Sequence, residues 1–201
     1  VGVNEERYFP VSIEVQALLR KELGFTFTQK LILCVGELLP NKNQKMAIRA
    51  MQNVVKEFPD AQLLLAGNGP EKENLKQEIV NCNLENNVKL LGYCTCLEKY
   101  QRVADVLVSC SKREGLPLNL VEAMLTENPV VVSVNRGHRE LVQDGENGYL
   151  VAVDDSETMS ERVIKLLKDD VNRIHMGQNA RAYAKQYVGK SVQKGVKQIY
   201  E

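Results

Sequence analysis

Short apolar runs recur along the chain, each about as long as a strand and each set apart by segments with helical periodicity. They are LILCVG (31–36), AQLLLAG (61–67), VKLLG (88–92), DVLVSC (105–110), NPVVVSV (128–134) and NGYLV (147–151). Such runs are typical of strands that are covered on both faces. The alternation predicts a parallel sheet with helices on both sides, a doubly wound α/β fold with right-handed crossovers.

The segments between the runs carry helix signals. Apolar residues recur at helical spacing over 43–58, and a shorter helix is expected over about 12–23. From Ser156 onwards the pattern is helical, with possible breaks at Gly177 and Gly189. The chain therefore divides into a lead-in segment (1–28), an α/β core (29–155) and C-terminal closing helices (156–201).

Composition excludes several classes of protein. At 201 residues the chain can bury a core as one domain, and its 26 basic residues balance its 26 acidic ones. This balance gives no sign of a nucleic-acid partner. No apolar stretch reaches the roughly 18 residues of a membrane span, and the start, VGVNEERYFP, lacks the apolar region of a signal peptide. Because position 1 is Val rather than Met, we expect a piece of a longer protein.

Cysteine usage indicates a reducing compartment such as the cytoplasm. The count of five is odd, and Cys34 and Cys110 lie within apolar runs. Cys94 and Cys96 are close together, but no second Cys or His pair at ligand spacing accompanies them. We therefore expect the cysteines to be either small apolar side chains of the core or thiols in loops. We expect no metal site.

Glycines, polar residues and charges collect directly after the predicted strands. The segments are GELLPNKN (36–43), GNGP (67–70), GYC (92–94), SKREG (111–115) and NRGHRE (135–140). In a doubly wound sheet, ligands bind beyond the carboxyl ends of the strands. The pattern favours a ligand site at this edge over a bare scaffold.

A helix start within SKREGLPLNLVEAM suits an anionic ligand. Pro117 fits the first turn of a helix, because it has no N–H to leave unpaired. Leu118 and Asn119 would then present free N–H groups at the positive end of the helix dipole. The sequence therefore predicts a phosphate-binding helix end.

Charged residues around this helix start allow two interpretations. Glu114 lies before the helix and Glu122 just over one turn inside it, so both could face one cleft or both could be solvated. Lys42 could bind a phosphate as a compact cation, or it could be an exposed loop lysine. His138 could be a base, although a loop histidine flanked by arginines is usually solvated.

Taken together, six blocks resemble a known family. They are VGELLPNKNQ, LLLAGNGP, VKLLGY, ADVLVSCSKREGLPLNLVEAM, NPVVVS and ELVQDGENGYLV. In this order they are similar to the C-terminal, donor-binding domain of retaining GT-B glycosyltransferases, which is Rossmann-like. More narrowly, they resemble family 4, the glycosyl transferases group 1, which builds bacterial capsule, exopolysaccharide and lipopolysaccharide. The most specific element is E-x7-E, from Glu114 to Glu122.

The resemblance implies a role for each site residue. Glu114 would hydrogen-bond the donor sugar near the reacting carbon, and Glu122 would hold the ribose hydroxyls. The amides of Leu118 and Asn119 would hold the diphosphate, and Lys42 would neutralise it as it leaves. The other donor-site residues expected are Gly36, Gly115, Leu116, Cys94 beside the base and Lys99 nearby.

The implied activity is transfer of a sugar, with retention, from a nucleotide diphosphate sugar. A UDP-sugar is the first expectation, without a metal cofactor, and the acceptor is a glycan or a lipid-linked glycan. The family's N-terminal acceptor domain has no room in 201 residues. We therefore expect this chain alone to bind donor and transfer little, and any peripheral membrane association, at the inner face of the plasma membrane, to depend on that domain.

One departure from the family keeps alternatives open. The family usually has Arg after the glycine of its first loop, where this chain has Glu37. Lys42 would then carry a larger share of the positive charge, aided by Arg113. The alternatives are a non-catalytic module that binds a nucleotide sugar, which Glu37 favours, and a sugar-nucleotide epimerase of GT-B fold.

Overall fold

The computed structural model describes residues 3–188, which form one six-stranded sheet. Its strands are β1 (Leu31–Val35), β2 (Gln62–Ala66), β3 (Val88–Gly92), β4 (Val106–Ser109), β5 (Val130–Ser133) and β6 (Gly148–Val151). All neighbours are parallel, in the order β3-β2-β1-β4-β5-β6. The chain winds outward from β1 in one direction and, after β3, in the other. The predicted doubly wound fold is confirmed.

Helices cover both faces of this sheet. They are α1 (Ile13–Glu22), α2 (Gln44–Glu57), α3 (Lys72–Asn81), α4 (Leu97–Val103), α5 (Leu118–Leu125), α6 (Arg136–Leu141), α7 (Ser156–Lys168) and α8 (Asp170–Ala184), with 3-10 turns at Pro40–Lys42 and Lys185–Tyr187. None of the helices formed by residues 3–188 is both long enough and apolar enough to span a bilayer.

The central strand shows why these apolar runs form a buried parallel sheet. Ile32 and Cys34 enter the core under α2, α3 and α7, whereas Leu31 and Leu33 enter the core under α4 and α5. Successive side chains of a strand point to opposite faces, so an unbroken apolar run fills two cores at once. This packing on both faces sets the position at which each strand ends, and therefore the position of the loop that follows it.

The C-terminal helices differ in detail from the sequence prediction. Gly177 is no break: it lies inside α8, where a Cβ would stand 2.0 Å from the carbonyl oxygen of Glu127. The break falls at Asp169, whose side chain caps α8, and Asp155 caps α7. Gly189 lies outside the described residues. Gly177 therefore allows α8 to pack closely on the end of α5.

The lead-in segment is fastened to α4. Arg7 forms an ion pair with Glu98 at 2.9 Å and donates to the carbonyl oxygen of Thr95 at 3.1 Å. Arg102 donates to the carbonyl of Arg7 at 2.8 Å and stacks over the Phe9 ring at 4.1 Å. These contacts hold the lead-in beside the carboxyl edge of the sheet.

Candidate functional site

The loops after β1, β2 and β3 enclose a cavity at the carboxyl edge of the sheet. Its volume is 460 Å³, and its lining residues are Val35, Gly36, Glu37, Ala66, Gly67, Asn68, Tyr93, Cys94 and Leu97. Gly67 has φ +149°, and a Cβ there would lie 2.0 Å from the carbonyl oxygen of Gly36. Only glycine allows these two loops to approach so closely. The cavity contains the predicted residues Gly36 and Cys94.

Lys42 and Glu114 meet at this edge although they are 72 residues apart in the chain. Lys42 Nζ lies 2.6 Å from Glu114 Oε1, and the two side chains are only 23% and 13% exposed. The stem of Lys42 passes over Gly36, where a Cβ would lie 3.7 Å from Lys42 Cδ. Asn41 supports the pair, since its side chain donates to the carbonyl of Arg113 at 3.0 Å. A cation and a carboxylate are therefore held together where two loops join.

The start of α5 lies next in the chain. Pro117 was predicted in the first turn of the helix, but it is the residue just before the helix. Its carbonyl accepts from the amide of Leu120 at 3.0 Å. In the part of the chain that the structure describes, the amides of Leu118 and Asn119 have no hydrogen-bond partner. The side chain of Asn119 donates to the carbonyl of Val35 at 2.7 Å. This bond ties the free helix end to the end of β1.

Gly115 and Leu116 form the exposed link between Glu114 and this helix end. Leu116 is 43% exposed, and a Cβ on Gly115 would meet no atom within 4 Å. The link is therefore open to a ligand along its outer side.

Glu122 lies on α5 and faces the lead-in and α4. Burial raises the pKa of its carboxyl, and Tyr8, Arg7 and Gln101 partly offset that effect. Burial and the nearby Glu122 charge in turn raise the pKa of Tyr8 to about 12. Glu122 is not among the residues that line the 460 Å³ cavity. It adjoins α4, whose first residue Leu97 does line the cavity.

His138 is buried, so the expectation of a solvated loop histidine is wrong. Its side chain lies under the Glu114 loop, with Nε2 3.2 Å from Ser109 Oγ and Nδ1 2.6 Å from the carbonyl oxygen of Ser133. Nδ1 therefore donates to this carbonyl, and Nε2 accepts from the serine. Burial lowers the pKa of His138, which is thus neutral near pH 7. A buried neutral ring with both nitrogens engaged cannot serve as an accessible base.

The first turn of α6 supports the Glu114 loop from below. Asn135 donates to the carbonyl of Ser111 at 2.8 Å, and its side-chain oxygen accepts from the amide of His138 at 3.0 Å. A Cβ on Gly137 would lie 1.9 Å from the carbonyl oxygen of Gly115. This contact could not be predicted from the sequence, because it joins segments that follow different strands.

Lys99, the remaining predicted site residue, lies on α4. Lys99 forms an ion pair with Glu22 of α1 at 2.6 Å and does not line the cavity. Its predicted place near the base stays a prediction. Within residues 3–188, no group of three or more His, Cys, Asp or Glu side chains is placed to hold a metal ion.

Comparison with known proteins decides the family. Residues 15–183 match the family model described as glycosyl transferases group 1. The chain belongs to this family. The sheet and its helices accordingly form the C-terminal half of a GT-B glycosyltransferase fold, as predicted.

Individual glycosyltransferases align with almost all of the chain. The putative glycosyltransferase EpsD of Bacillus subtilis is 35% identical over 184 residues, covering 92% of this chain and 48% of EpsD. The UDP-Gal:alpha-D-GlcNAc-diphosphoundecaprenol alpha-1,3-galactosyltransferase of Escherichia coli is 29% identical over 90% of this chain and 47% of its own length. The chain thus spans about half the length of the curated relatives it matches.

Solved structures of glycosyltransferases share the fold. HepE of Anabaena, crystallised in complex with UDP, has a TM-score of 0.90 and 26% identity, with 99% of this chain and 55% of HepE covered. The chain thus shares its overall backbone arrangement with a protein crystallised in complex with a nucleoside diphosphate.

Proposed function

We propose that this chain is the donor-binding half of a retaining glycosyltransferase that acts in surface-polysaccharide synthesis. The observation that carries the proposal is the 2.6 Å pair of Lys42 and Glu114 beside the cavity. A cation for a leaving diphosphate and a carboxylate for sugar hydroxyls stand together, and the stem of the cation passes over Gly36, which lines a cavity that can take a nucleoside. The relation to HepE, which was crystallised with UDP, supports a UDP-sugar as donor.

Each part of the donor has a partner in this arrangement. The nucleoside enters the cavity next to Gly36 and Cys94, and Glu122 holds the ribose from α5. The diphosphate lies between Lys42 and the free amides at the start of α5. An ammonium group has three donors, of which Glu114 takes one, so two remain for phosphate oxygens.

The same groups can stabilise the departure of the diphosphate. Negative charge grows on the leaving group as the bond to the sugar breaks. The Lys42 ammonium and the helix end are fixed in place before the reaction, which makes their stabilisation effective. These positive groups supply the charge that a divalent ion would otherwise provide, so we propose donor binding without metal. Glu37, exposed at the cavity, leaves this task to them.

The acceptor half belongs to the rest of the protein. We propose that the lead-in over 1–28 connects the core over 29–155 to an acceptor-binding N-terminal domain, and that α7 and α8, which lie in the described part of 156–201, close the fold. The Escherichia coli relative is named for a diphosphoundecaprenol-linked acceptor. A phosphate-bearing, lipid-linked glycan is therefore the acceptor class that we propose here. The reaction would take place in the cytoplasm, at the inner face of the plasma membrane.

Calorimetric titration of the chain with UDP, with and without EDTA, tests the donor site. We expect binding in both conditions. Glu122→Ala should weaken UDP binding by about 1–3 kcal/mol, the scale for a lost hydrogen bond to a charged group. Glu114→Ala should change the affinity for UDP by less than about twofold. It should also remove the difference by which UDP-glucose binds more tightly than UDP.

Three outcomes would contradict this proposal. Absence of UDP binding at millimolar concentration would exclude a donor site. A strict requirement for a divalent ion would exclude metal-independent binding. Equal loss of UDP affinity in the Glu122 and Glu114 variants would refute the division of roles between ribose and sugar.

A further inference from the structure

A second cavity lies at the first turn of α6, on the other side of Glu114 from the nucleoside cavity. Its volume is 440 Å³, and its lining residues are Val134, Asn135, Arg136, Arg139 and Glu140. Two guanidinium groups thus flank one concave surface. The chain as a whole has no net charge, with 26 basic and 26 acidic residues, so this positive surface is a local feature.

Strand order fixes where this surface lies relative to the donor. The nucleoside cavity uses the loops after β1, β2 and β3, Glu114 follows β4, and α6 follows β5. Neighbouring strands are about 4.8 Å apart, so the arginines stand roughly one strand spacing beyond Glu114. Gly137, between them, is in contact with the Glu114 loop, since its Cβ would lie 2.9 Å from Glu114 Cβ. An acceptor must approach the sugar from a side that the nucleotide leaves free, and this is such a side.

The helix that carries the arginines is held at both ends. Asn135 caps its first turn, and Tyr183 of α8 donates to the carbonyl of Glu140 at 3.0 Å. The arginine side chains themselves are available. The Arg136 side chain is 89% exposed and pairs with Glu140 at 3.3 Å. Arg139 is exposed, and its side chain forms no ion pair or hydrogen bond with another described residue. A rigid backbone with free guanidinium groups suits the capture of an anion.

We propose that Arg136 and Arg139 bind the phosphate group of the acceptor and so orient the acceptor hydroxyl toward the sugar held at Glu114. This inference rests on the proposed function and adds to it a site for the acceptor within the donor half. Guanidinium groups match the geometry of phosphate oxygens and form charge-assisted hydrogen bonds with them. The donor diphosphate is served by Lys42 and α5, on the other side of Glu114, so the two anions have separate partners.

Titration of the UDP-saturated chain with inorganic pyrophosphate tests this site, because UDP keeps the probe out of the donor site. We expect pyrophosphate to bind, and the double variant Arg136→Gln/Arg139→Gln to weaken it by about tenfold or more. UDP affinity should change by less than about twofold. The matched control is Lys76→Gln/Lys168→Gln, which removes the same charge from exposed residues of α3 and α7 and should leave both affinities unchanged.

The outcomes separate this inference from the proposed function. UDP binding without pyrophosphate binding would overturn this inference alone, as would an arginine variant that binds pyrophosphate like the parent chain. Equal loss of UDP and pyrophosphate affinity in that variant would place the arginines in the donor site and overturn it too. Binding to phosphatidylglycerol vesicles without pyrophosphate binding would assign the surface to a lipid bilayer instead. Absence of UDP binding would overturn the proposed function and this inference together.

Discussion

Replacement of Gly137 by alanine should destabilise the chain although Gly137 lies in a helix. Alanine is favoured over glycine in a helix interior by up to about 1 kcal/mol. A Cβ at this position, however, would lie 1.9 Å from the carbonyl oxygen of Gly115 and 2.9 Å from Glu114 Cβ. The first of these atoms is backbone, so the Glu114 loop or α6 must move as a unit.

The magnitude follows from these distances. Relief of the 1.9 Å contact with the Gly115 carbonyl requires a shift of more than roughly 1 Å, since non-bonded heavy atoms sit about 3.5–4.0 Å apart. Overpacking of this kind costs typically about 1–3 kcal/mol. Because the clash is with backbone atoms, we take the upper part of this range, about 2–3 kcal/mol, and subtraction of about 1 kcal/mol of helix preference leaves a net loss of about 1–2 kcal/mol. For a chain of 150–250 residues each kcal/mol lowers Tm by about 2–4 °C, so the expected decrease is about 2–8 °C.

Thermal unfolding followed by circular dichroism at 222 nm measures this loss. Gly115→Ala is the matched control, because a Cβ at Gly115 meets nothing within 4 Å. It should change stability by less than about 0.5 kcal/mol. In the Gly137 variant, affinity for UDP-glucose should fall more than affinity for UDP, since the displaced loop carries Glu114. An unchanged Tm for Gly137→Ala, or an equal decrease for both variants, would refute the packing argument.

Two further predictions concern charge. Lys42→Met should weaken UDP binding by about tenfold or more in calorimetry, whereas Lys45→Met, in the first turn of α2, should not; similar affinities for both variants would remove Lys42 from the site. Because burial lowers the pKa of His138 below its ordinary value of 6.5, the unfolded chain binds a proton that the folded chain does not. The contribution of His138 to the free energy of unfolding should therefore be complete above about pH 6.5. The free energy of unfolding should decline as the pH falls below this value, with a smaller decline in His138→Gln. Urea unfolding at pH 7.5 and 5.5 measures this, and an equal decline in both proteins would contradict it.

The strands could be predicted closely from the sequence because their burial is two-sided. The runs over 88–92 and 31–36 match β3 and β1 to within a residue. The starts of the helices were harder to predict from the sequence than the strands. Periodicity does not place the start of α6, which begins at Arg136 because the side chain of Asn135 caps it. A cap depends on a side-chain rotamer, which periodicity does not report.

The loops that meet at the candidate site could be predicted from the sequence, but the contacts between their side chains could not. Lys42 and Glu114 could be expected at one edge because they follow neighbouring strands of a doubly wound sheet. Their direct pairing depends on the path of the lysine stem over Gly36 and on the hydrogen bond between Asn41 and Arg113, which joins the two loops. The burial of His138 was missed for a similar reason. Its position at the foot of the Glu114 loop is set by hydrogen bonds to Ser109 and Ser133, which belong to two different strands.

In the proposed function, the ion pair of Lys42 and Glu114 would link sugar placement to departure of the diphosphate. Only Oε1 of Glu114 contacts Lys42, so Oε2 can accept a hydrogen bond from a sugar hydroxyl while the pair persists. As negative charge builds on the leaving diphosphate, the attraction between it and the ammonium increases, and Lys42 would shift its remaining donors toward the phosphate oxygens. Glu114 would then face the growing positive charge of the sugar with less compensation from the lysine. One cation would thus serve two anions in turn, in a site where the exposed Glu37 supplies no positive charge.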